Sequence, residues 1–448
     1  MQDQRDQLEK TRRNYMRAIA ASGLFGAAGL AGCSAGSGGE SSGGSGGSGD
    51  STATSGGSGY NDKQLVVLHG WTGGDGAKAI KAFTKAFNSK YGDMAKDIRA
   101  VGGEANKNLN TVVAKRLQNQ NPPSSFANWP GKNLMKYEGV IANGEQSVWE
   151  AGGLKDAHVP EVKEACQHNG KWAAVPIGSH RMNDLFYNPS LLEEAGVDPS
   201  GIDSMDALMS AMDAVQENTD AAAWAHGMKG VWTVAQLFPW VLISQDGFNA
   251  YMNWIDGNGK KSQVRSALET IKTMQQNYVT SDASSIGFTE AGKKLLAGEA
   301  AFQHQGNWAA GLYAGEGAKY GEAWDNITFP GTEGMYGFHL DAFIYPNNNP
   351  TPKKTQDFLK FAGSETAHVK FNKFKGSIPT RPVPTDEFND YLTATIEDFN
   401  NADKRPPTLE HGLAVSPEKK SAVEEALNQN MMGPYDVEAA TQGLMDAV

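Results

Sequence analysis

A segment rich in glycine and serine divides this chain and confines the folded part to the residues after it. Of the 26 residues at positions 34–59, 11 are glycine and 9 are serine. Such a segment cannot bury apolar surface, so it is expected to remain a random coil with an end-to-end distance of roughly 25–30 Å. Residues 60–448 must therefore supply every hydrophobic core, and their number favours two lobes over one.

The residues before this linker have the order of an export signal. Residues 11–17, TRRNYMR, resemble a twin-arginine signal and precede an apolar stretch at residues 18–32. That stretch is shorter than the roughly 20 residues that span a bilayer as a helix, so it is expected to be the apolar region of a signal. Residues 30–33, LAGC, resemble a lipobox and predict a lipid on Cys33. We expect a mature protein tethered to the extracellular face of the cell membrane.

Charge and cysteine content exclude several classes of function. The formal net charge is −11, and phosphate backbones require clustered Lys and Arg, so no nucleic-acid partner is expected. With Cys33 assigned to the lipid, Cys166 has no disulfide partner. Its neighbours, including Val162 and Ala165, predict a small side chain in a helix and not a catalytic thiol.

Strands and helices alternate from the start of the folded part. Residues 64–69 predict a buried strand, and residues 77–88 and 106–120 each predict a helix with one apolar face. A second strand and helix pair is predicted at residues 337–345 and 355–375. This order predicts an α/β fold with a largely parallel sheet.

The sequence patterns of most enzymes and cofactor sites are missing. Residues 73–78 lack the spacing and the final Ser or Thr of a phosphate-binding loop. No zinc-protease helix, paired CxxC or nucleophile elbow occurs, and the nine histidines are scattered along the chain. We therefore predict no cofactor, no metal and no catalytic residue.

Aromatic and polar side chains instead recur together in loops that follow predicted strands. Examples are Trp71 with Asp75, and Trp129 with Asn128. Loops at the carboxyl ends of strands are where open α/β sheets bind ligands. A sugar presents apolar C–H faces and a ring of hydroxyls, which tryptophan faces and polar side chains complement. The combination predicts a carbohydrate site.

Five segments, taken in order, resemble extracellular solute-binding proteins of carbohydrate ABC importers, and within them the glucose-type monosaccharide-binding branch. They are residues 68–76 (LHGWTGGDG), 175–183 (VPIGSHRMN), 301–311 (AFQHQGNWAAG), 375–379 (KGSIP) and 411–412 (HG). The resemblance implies a two-lobed α/β clamshell of the periplasmic-binding-protein kind, type II, with hinge crossings. It implies that the protein is not an enzyme and hands a monosaccharide such as glucose to a permease with its ATPase subunits.

The resemblance also implies which side chains surround the sugar. Trp71 would stack on the ring, Asp75 would accept from a hydroxyl, and His180 would line the cleft. The full implied set is Trp71, Asp75, Trp129, His180, Arg181, Asn183, Trp232, Gln236, Asn307, Trp308, Asp341, Lys375 and His411. Close relatives carry an aspartate at the position of Asn307, and Ala127 and Trp129 stand where they tend to place Gln and His. These departures change the volume and polarity of the pocket, so the sugar can differ from glucose.

The implied lobes are residues 60–177 with 341–384, and residues 178–340 with 385–448. Crossings at Pro176, near Asp341 and near Pro382 would then be the hinges. Two other functions are compatible with the sequence. One is binding of an oligosaccharide or a polyol phosphate, for which Arg181 and Lys375 supply positive charge. The other is a surface glycoside hydrolase, which would need Asp75 and Asp341 as its two carboxylates.

Overall fold

The computed structural model describes residues 61, 63–72, 74–102 and 106–448, without the side chains of residues 74 and 75. The predicted export signal, the linker and Cys33 lie outside these residues. Residues 63–448 form one compact unit. None of the helices described there has the length and apolar character needed to cross a membrane.

The strands are numbered in chain order. They are β1 Val66–His69, β2 Asp97–Ala100, β3 Ser125–Asn128, β4 Gln167–His168, β5 Lys171–Trp172, β6 Ala174–Arg181, β7 Asp184–Tyr187, β8 Ala222–Trp224, β9 Ala300–Gln305, β10 Asp325–Thr328 and β11 Phe338–Ile344.

The α-helices are numbered in the same way, and a 3₁₀ helix covers Gly131–Tyr137. They are α1 Gly74–Tyr91, α2 Lys107–Gln118, α3 Leu154–Ala157, α4 Pro160–Ala165, α5 Pro189–Ala195, α6 Met205–Asn218, α7 Trp232–Asp246, α8 Phe248–Ile255, α9 Lys261–Asn277, α10 Phe288–Leu296, α11 Trp308–Gly315, α12 Pro352–Ala362, α13 Glu365–Lys375, α14 Asp390–Asn401, α15 Pro417–Asn430 and α16 Val437–Ala447.

The first sheet has the strand order β2-β1-β3-β11-β6. The strands β2, β1 and β3 are parallel, whereas β11 runs antiparallel to both of its neighbours. The second sheet has the order β10-β7-β9-β8, and within it only β8 and β9 are parallel. The sequence predicted a largely parallel sheet. The antiparallel pairings arise because the chain passes directly from one sheet to the other, without a helical crossover.

The core of the first lobe confirms the predicted apolar face of α1. Phe83 and Phe87 are fully buried, as their spacing of four residues on a helix requires. The ring of Phe83 lies 5.7 Å from that of Phe343 on β11 and 5.6 Å from that of Phe358 on α12. Helices α1 and α12 therefore share a core against one face of the first sheet.

Cys166 directly follows α4 and is fully buried. Burial raises the pKa of its thiol far above the ordinary value. A thiol in this state is a poor nucleophile at neutral pH. The sequence predicted a small side chain within a helix, and the structure places Cys166 one residue beyond the end of α4.

Two segments that link the two sheets lie beside a third segment, which joins α13 to α14. The link from β6 to β7 is Met182–Asn183, and the link from β10 to β11 is residues 329–337. Ser179 near the end of β6 pairs with Leu340 on one side and with Ile378, in the segment after α13, on the other. The first two links thus lie a few residues away from the crossings that the sequence predicted at Pro176 and near Asp341.

Candidate functional site

The register of the first sheet brings polar side chains from distant segments to one edge. His180 lies opposite His339, and Gly178 lies opposite Asp341, because β6 and β11 run antiparallel. The next strand, β3, ends at Asn128 opposite Ala342. The start of β11 therefore extends beyond the end of β3, and its first residues face the space between the two sheets.

The second sheet delivers another pair of side chains to the same place. Strand β9 ends at Gln305 opposite Asp184, the first residue of β7. Asn307 then donates its backbone N–H to the carbonyl oxygen of Arg181 at 3.0 Å. A Cβ atom at Gly306 would lie 2.5 Å from the ring of Trp308, so glycine permits the tight approach of that ring. The loop after β9 is thereby fixed against the end of β6.

Five polar side chains meet there, and we refer to His180, Asn307, Asp341, His339 and His411 as the histidine cluster. The Nε2 atom of His180 lies 3.3 Å from Asp341 Oδ2, and its Nδ1 atom lies 2.5 Å from Asn307 Oδ1. The ring of His339 stacks at 5.8 Å on that of His180 and lies 4.1 Å from that of His411. All five side chains are buried.

Two tryptophan rings frame the cluster. Trp129 meets His411 edge to face at 4.7 Å and His339 at 5.7 Å. Trp308 lies 5.2 Å from His180 and 5.4 Å from His411. Trp129 follows a strand of the first sheet and Trp308 follows a strand of the second. The two rings therefore approach the histidines from the two sheets.

Burial keeps the imidazoles of the cluster neutral at neutral pH. It is the largest cause that lowers the pKa of His180, with the charge of Lys375 acting in the same direction. It also lowers the pKa of His411 to about 3 and that of His339 well below its ordinary value. Burial alone would raise the pKa of Asp341, but its hydrogen bond with His180 and the charge of Lys375 hold that pKa below the usual value. The cluster thus offers neutral rings beside one carboxylate.

A neutral His180 places a requirement on Asn307. The Nε2 atom of His180 donates to the Asp341 carboxylate, so the Nδ1 atom of the same neutral ring must accept a hydrogen bond. The amide nitrogen of Asn307 is the matching donor, and the two ends of an amide are interchangeable by a rotation of 180°. The remaining atom of that amide then points away from His180 and stays available to a ligand.

Several buried polar atoms of the cluster have no hydrogen-bond partner among the residues that the structure describes. They include one amide atom of Asn307, Nδ2 as placed, and the Nδ1 atoms of His339 and His411. An unsatisfied buried polar group costs about 1–3 kcal/mol. Three such atoms in one cluster indicate a place where ligand hydroxyls complete the hydrogen bonds.

Arg181 and Asn183 belong to a different group, although the sequence placed them with His180. Arg181 Nη1 donates to Asp398 Oδ2 at 2.5 Å, and its Nη2 donates to Thr328 Oγ1 at 2.7 Å. Its Nε atom lies 3.5 Å from Asp184 Oδ1. Asn183 accepts from the backbone N–H of Gly337 at 2.9 Å. We call Arg181, Asn183, Asp184 and Asp398 the arginine network.

The charges of this network act mainly on one another, since one guanidinium faces two carboxyl groups. Burial alone would lower the pKa of Arg181, but Asp184 and Asp398 outweigh it and raise that pKa. Burial raises the pKa of Asp184 to about 6, against the opposing charge of Arg181. Tyr391 also donates to Asp184 Oδ2 at 2.8 Å. These side chains fix the second sheet to α14 and are engaged with one another.

The other predicted residues take separate positions. Trp71 is half-buried, stacks on His69 at 5.7 Å and meets Phe371 of α13 at 4.8 Å. Trp232 begins α7 and meets Phe288 at 5.7 Å. Neither ring has a described ring contact with the histidine cluster.

Gln236 and Lys375 are both buried. Gln236 donates to Gln305 Oε1 at 2.8 Å, next to the loop that carries Asn307. Lys375 ends α13, and its charge contributes to the lowered pKa of both His180 and His339. Both residues thus lie beside the cluster. The side chain of Asp75 lies outside the described part of the structure.

The sequence reasoning missed His339. This residue precedes Asp341 by two positions in a predicted strand, and side chains two apart on a strand share a face. The strand periodicity alone could therefore have placed it in the site. His69 was also missed; its Nδ1 atom is buried without a described partner, and its ring stacks on Trp71.

Within the described part of the chain, neither a metal site nor either of two surface hollows coincides with the histidine cluster. Among the described residues, no group of three or more His, Cys, Asp or Glu side chains has an arrangement that could hold a metal ion. Two surface hollows, of about 580 and 550 Å³, are lined by other residues. The side chains of the histidine cluster are themselves buried.

Comparison with known proteins gives matches over most of the chain. The family described as bacterial extracellular solute-binding protein matches residues 78–395. A xylose/arabinose-binding protein, XacG of Haloferax volcanii, is 48% identical over 389 residues, which cover 86% of this chain and 85% of that protein. A probable sugar-binding periplasmic protein of Brucella suis is 26% identical over 401 residues, covering 86% and 92% of the two chains.

Solved structures give the same fold at low sequence identity. The bacterial solute receptor AcbH, described as having an exclusive preference for β-D-galactopyranose, has a TM-score of 0.73 and 15% identity over 86% of this chain and 97% of its own. MalE3 of T. maritima, solved with maltose, has a TM-score of 0.67 and 14% identity over 85% and 98%. The predicted fold class, a two-lobed α/β clamshell of the periplasmic-binding kind, is confirmed.

Proposed function

This chain belongs to the bacterial extracellular solute-binding protein family, and we propose that it captures a monosaccharide outside the cell for an ABC importer. It acts as the sugar-binding component and delivers its ligand to the membrane permease. The prediction that it is not an enzyme is confirmed, because the relatives and structures that it matches are solute-binding proteins. The chemistry required is binding and release, without a covalent step.

The observation that carries this proposal is the set of unsatisfied atoms in the histidine cluster. The free amide atom of Asn307 and the Nδ1 atoms of His339 and His411 are buried without a described partner. The rings of Trp129 and Trp308 lie beside them. Hydroxyls can complete the hydrogen bonds while C–H faces pack on the aromatic rings. A sugar ring has both kinds of surface in one small molecule.

The sugar that best fits this chain is a pentose such as xylose or arabinose. The support is the relative named for these two sugars, which is 48% identical over 86% of the chain. Burial of the histidine cluster also supports a small sugar, since the side chains of His180, Asp341 and His411 are each at most 7% exposed. An oligosaccharide would need a longer and more open groove. Glucose, which the sequence resemblance favoured, remains the hexose to compare against.

Closure of two lobes would couple capture to transport. The histidine cluster takes His180 from β6, His339 from β11 and Asn307 from the loop after β9. A ligand that contacts both sheets favours the closed arrangement by its differential affinity. The closed form would dock on the permease. We include in this proposal twin-arginine export and a lipid on Cys33, which would keep the protein at the outer face of the membrane.

Isothermal titration of the purified protein with xylose, arabinose, glucose, galactose and maltose tests the proposal. We expect one of the pentoses to saturate with a dissociation constant near micromolar, which is about −8 kcal/mol. A thermal-shift series is the independent check, since a ligand at 100 times its dissociation constant adds about 2.7 kcal/mol of stability. Tighter binding of a hexose would reassign the sugar. If no sugar gave a binding signal in either measurement, the proposed function would be overturned.

A further inference from the structure

A buried carboxyl group, that of Glu410, lies next to the proposed sugar site, and the proposed function assigns it no role. Glu410 precedes His411 and is 3% exposed. Its Oε1 atom lies 3.2 Å from Lys420 Nζ in α15. The same ammonium group donates to Glu424 Oε1 at 2.7 Å. The Oε2 atom of Glu410 is buried without a described partner.

The loop that carries this carboxyl, residues 406–414, connects the two sides of the site. At one end, Thr408 donates its backbone N–H to the carbonyl oxygen of Phe338 at 3.0 Å, next to His339. At the other end, Asn133 in the 3₁₀ helix donates its backbone N–H to the carbonyl oxygen of Gly412 at 2.8 Å. The loop therefore spans from β11 to the segment that follows Trp129.

The contacts of this loop with the 3₁₀ helix leave little room for displacement; we refer to the loop as seated when these contacts are made. Gly131 has φ of +71°, and a Cβ atom there would lie 2.8 Å from the backbone of Leu413. Asn133 also donates its side-chain amide to the carbonyl oxygen of Trp129 at 2.7 Å. One asparagine therefore connects the loop and the tryptophan that contacts His411. A shift of the loop would move His411 relative to both of its aromatic neighbours.

We propose that Glu410 is a positioning residue for sugar binding, whose buried contact with Lys420 seats the loop 406–414 and holds His411 between Trp129 and His339. This inference rests on the proposed function, because the sugar is the ligand that His411 would contact. Glu410 itself acts through His411 and does not touch the ligand.

The charges around Glu410 determine how its role can be measured. Burial raises the pKa of Glu410 to about 8, Glu424 adds to this effect, and Lys420 opposes it. Lys136 of the 3₁₀ helix also faces the group, with a pKa lowered to about 8 by burial and by Lys420. Glu418 at the start of α15 and Glu424 act on Lys136 in the opposite direction.

The sign of the pH effect is set by the raised pKa. When the loop leaves its seat, the carboxyl becomes exposed and its pKa returns toward about 4.3. The seated form therefore binds one proton more between those two values, and seating weakens as the pH rises through 8. Lys136, with a pKa of about 8, and His411, whose pKa returns toward about 6.5 when the loop leaves its position, titrate near the two ends of the range from pH 6 to pH 8. The variant Glu410→Gln is therefore needed to assign a change within this range to Glu410.

The test compares xylose binding by the wild-type protein, Glu410→Gln and the control Glu425→Gln. Glu425 is exposed on the same helix as Lys420, so its substitution makes the same change of side chain outside the loop. We expect the xylose affinity of the wild type to fall about tenfold between pH 6 and pH 8. The loss of one proton can change the affinity by at most about a hundredfold over these two pH units. Glu425→Gln should follow the wild type, and Glu410→Gln should show no such fall.

The proposal would be overturned if the sugar affinity of Glu410→Gln fell with pH as that of the wild type does. It would also be overturned if the affinity of the wild type rose with pH. A second measurement needs no sugar: the ring signals of His411 in the NMR spectrum, assigned with His411→Asn, should shift with a midpoint near pH 8 in the wild type only. A wild type that binds no sugar would defeat the proposed function. The NMR titration would still decide whether Glu410 positions His411.

Discussion

His180 and Arg181 are neighbours in one strand, yet they belong to two groups with opposite properties. The histidine cluster around His180 contains neutral rings and several buried atoms without a described partner. The arginine network around Arg181 contains full charges, and its guanidinium has partners at Asp398, Thr328 and Asp184. The first group leaves buried polar atoms without a described partner, whereas the guanidinium of the second is engaged with side chains of the folded chain.

The difference shows how one strand divides binding from stability. Successive side chains of a strand point to opposite faces, so His180 faces the space between the sheets and Arg181 faces α14. Asn183, two residues beyond Arg181, joins the same network because its Oδ1 atom accepts from Arg181 Nε at 3.4 Å. Substitutions on the two faces should therefore separate loss of sugar affinity from loss of fold.

The largest effect is expected for Arg181→Met. Removal of the guanidinium leaves the Asp184 carboxylate buried without its cation, which costs about 3–5 kcal/mol. Urea denaturation at pH 8 measures the loss. The loss should be smaller at pH 5, because Asp184, with a pKa already raised to about 6, can take up a proton there. Sugar affinity of the folded variant should stay within about twofold of the wild type.

Arg265→Met is the matched control for that variant. Arg265 pairs with Glu269 and Glu438 on the surface, with each side chain about half exposed. Surface pairs contribute at most about 1 kcal/mol. If Arg181→Met kept its stability but lost the sugar, Arg181 would belong to the site, as the sequence resemblance implied.

The sequence predicted the fold more completely than it predicted this division. Apolar periodicity located α1, and the distribution of Trp129, His180, Asn307 and His411 along the chain indicated a site built from distant loops. Periodicity cannot show that β6 runs on to Arg181 or pairs with β11, since strand pairing depends on residues far apart in sequence. Without that pairing, the sequence could not show that His339 lies opposite His180. It also could not show that Arg181 points to the face of the strand away from the histidine cluster.

The next effect in size is expected for His180→Ala. This variant removes the ring that bridges Asn307 and Asp341, and it leaves the carboxylate with one bond fewer. A hydrogen bond that involves a charged group contributes about 1.5–3 kcal/mol. We therefore expect sugar affinity to fall about ten- to a hundredfold in isothermal titration. His168→Ala, on the β4–β5 hairpin, should bind as the wild type does. An unchanged affinity for His180→Ala would remove the cluster from the site.

A pH-dependent effect of intermediate size is expected for His411→Asn. The pKa of His411 is lowered to about 3 by burial, whereas the unfolded chain has a value near 6.5. The unfolded state binds one proton more between these values, so His411 contributes stability above pH 6.5 that is lost as the pH falls. The free energy of unfolding should therefore depend on pH less steeply in the variant, by about 1.4 kcal/mol per pH unit.

His226→Asn is a comparison for His411→Asn outside the cluster. His226 is buried, and its pKa is lowered to about 4. Both variants should flatten the pH dependence of unfolding, measured with urea at pH 5, 6 and 7. Only His411→Asn should also weaken sugar binding. Equal losses of sugar affinity would show that the two histidines act through stability alone.

The smallest effect is expected for Trp129→Phe, which tests the aromatic frame of the cluster. Phenylalanine keeps a ring beside His411 and His339 but offers a smaller face to the sugar. Aromatic contacts of this kind contribute about 0.5–1.5 kcal/mol, so the loss of part of one should reduce affinity about two- to fivefold. Trp232→Phe is the matched control, because Trp232 packs on Phe288 at the start of α7. A larger loss for Trp232→Phe than for Trp129→Phe would move the sugar from the histidine cluster toward α7, where the sequence resemblance placed the opposite wall.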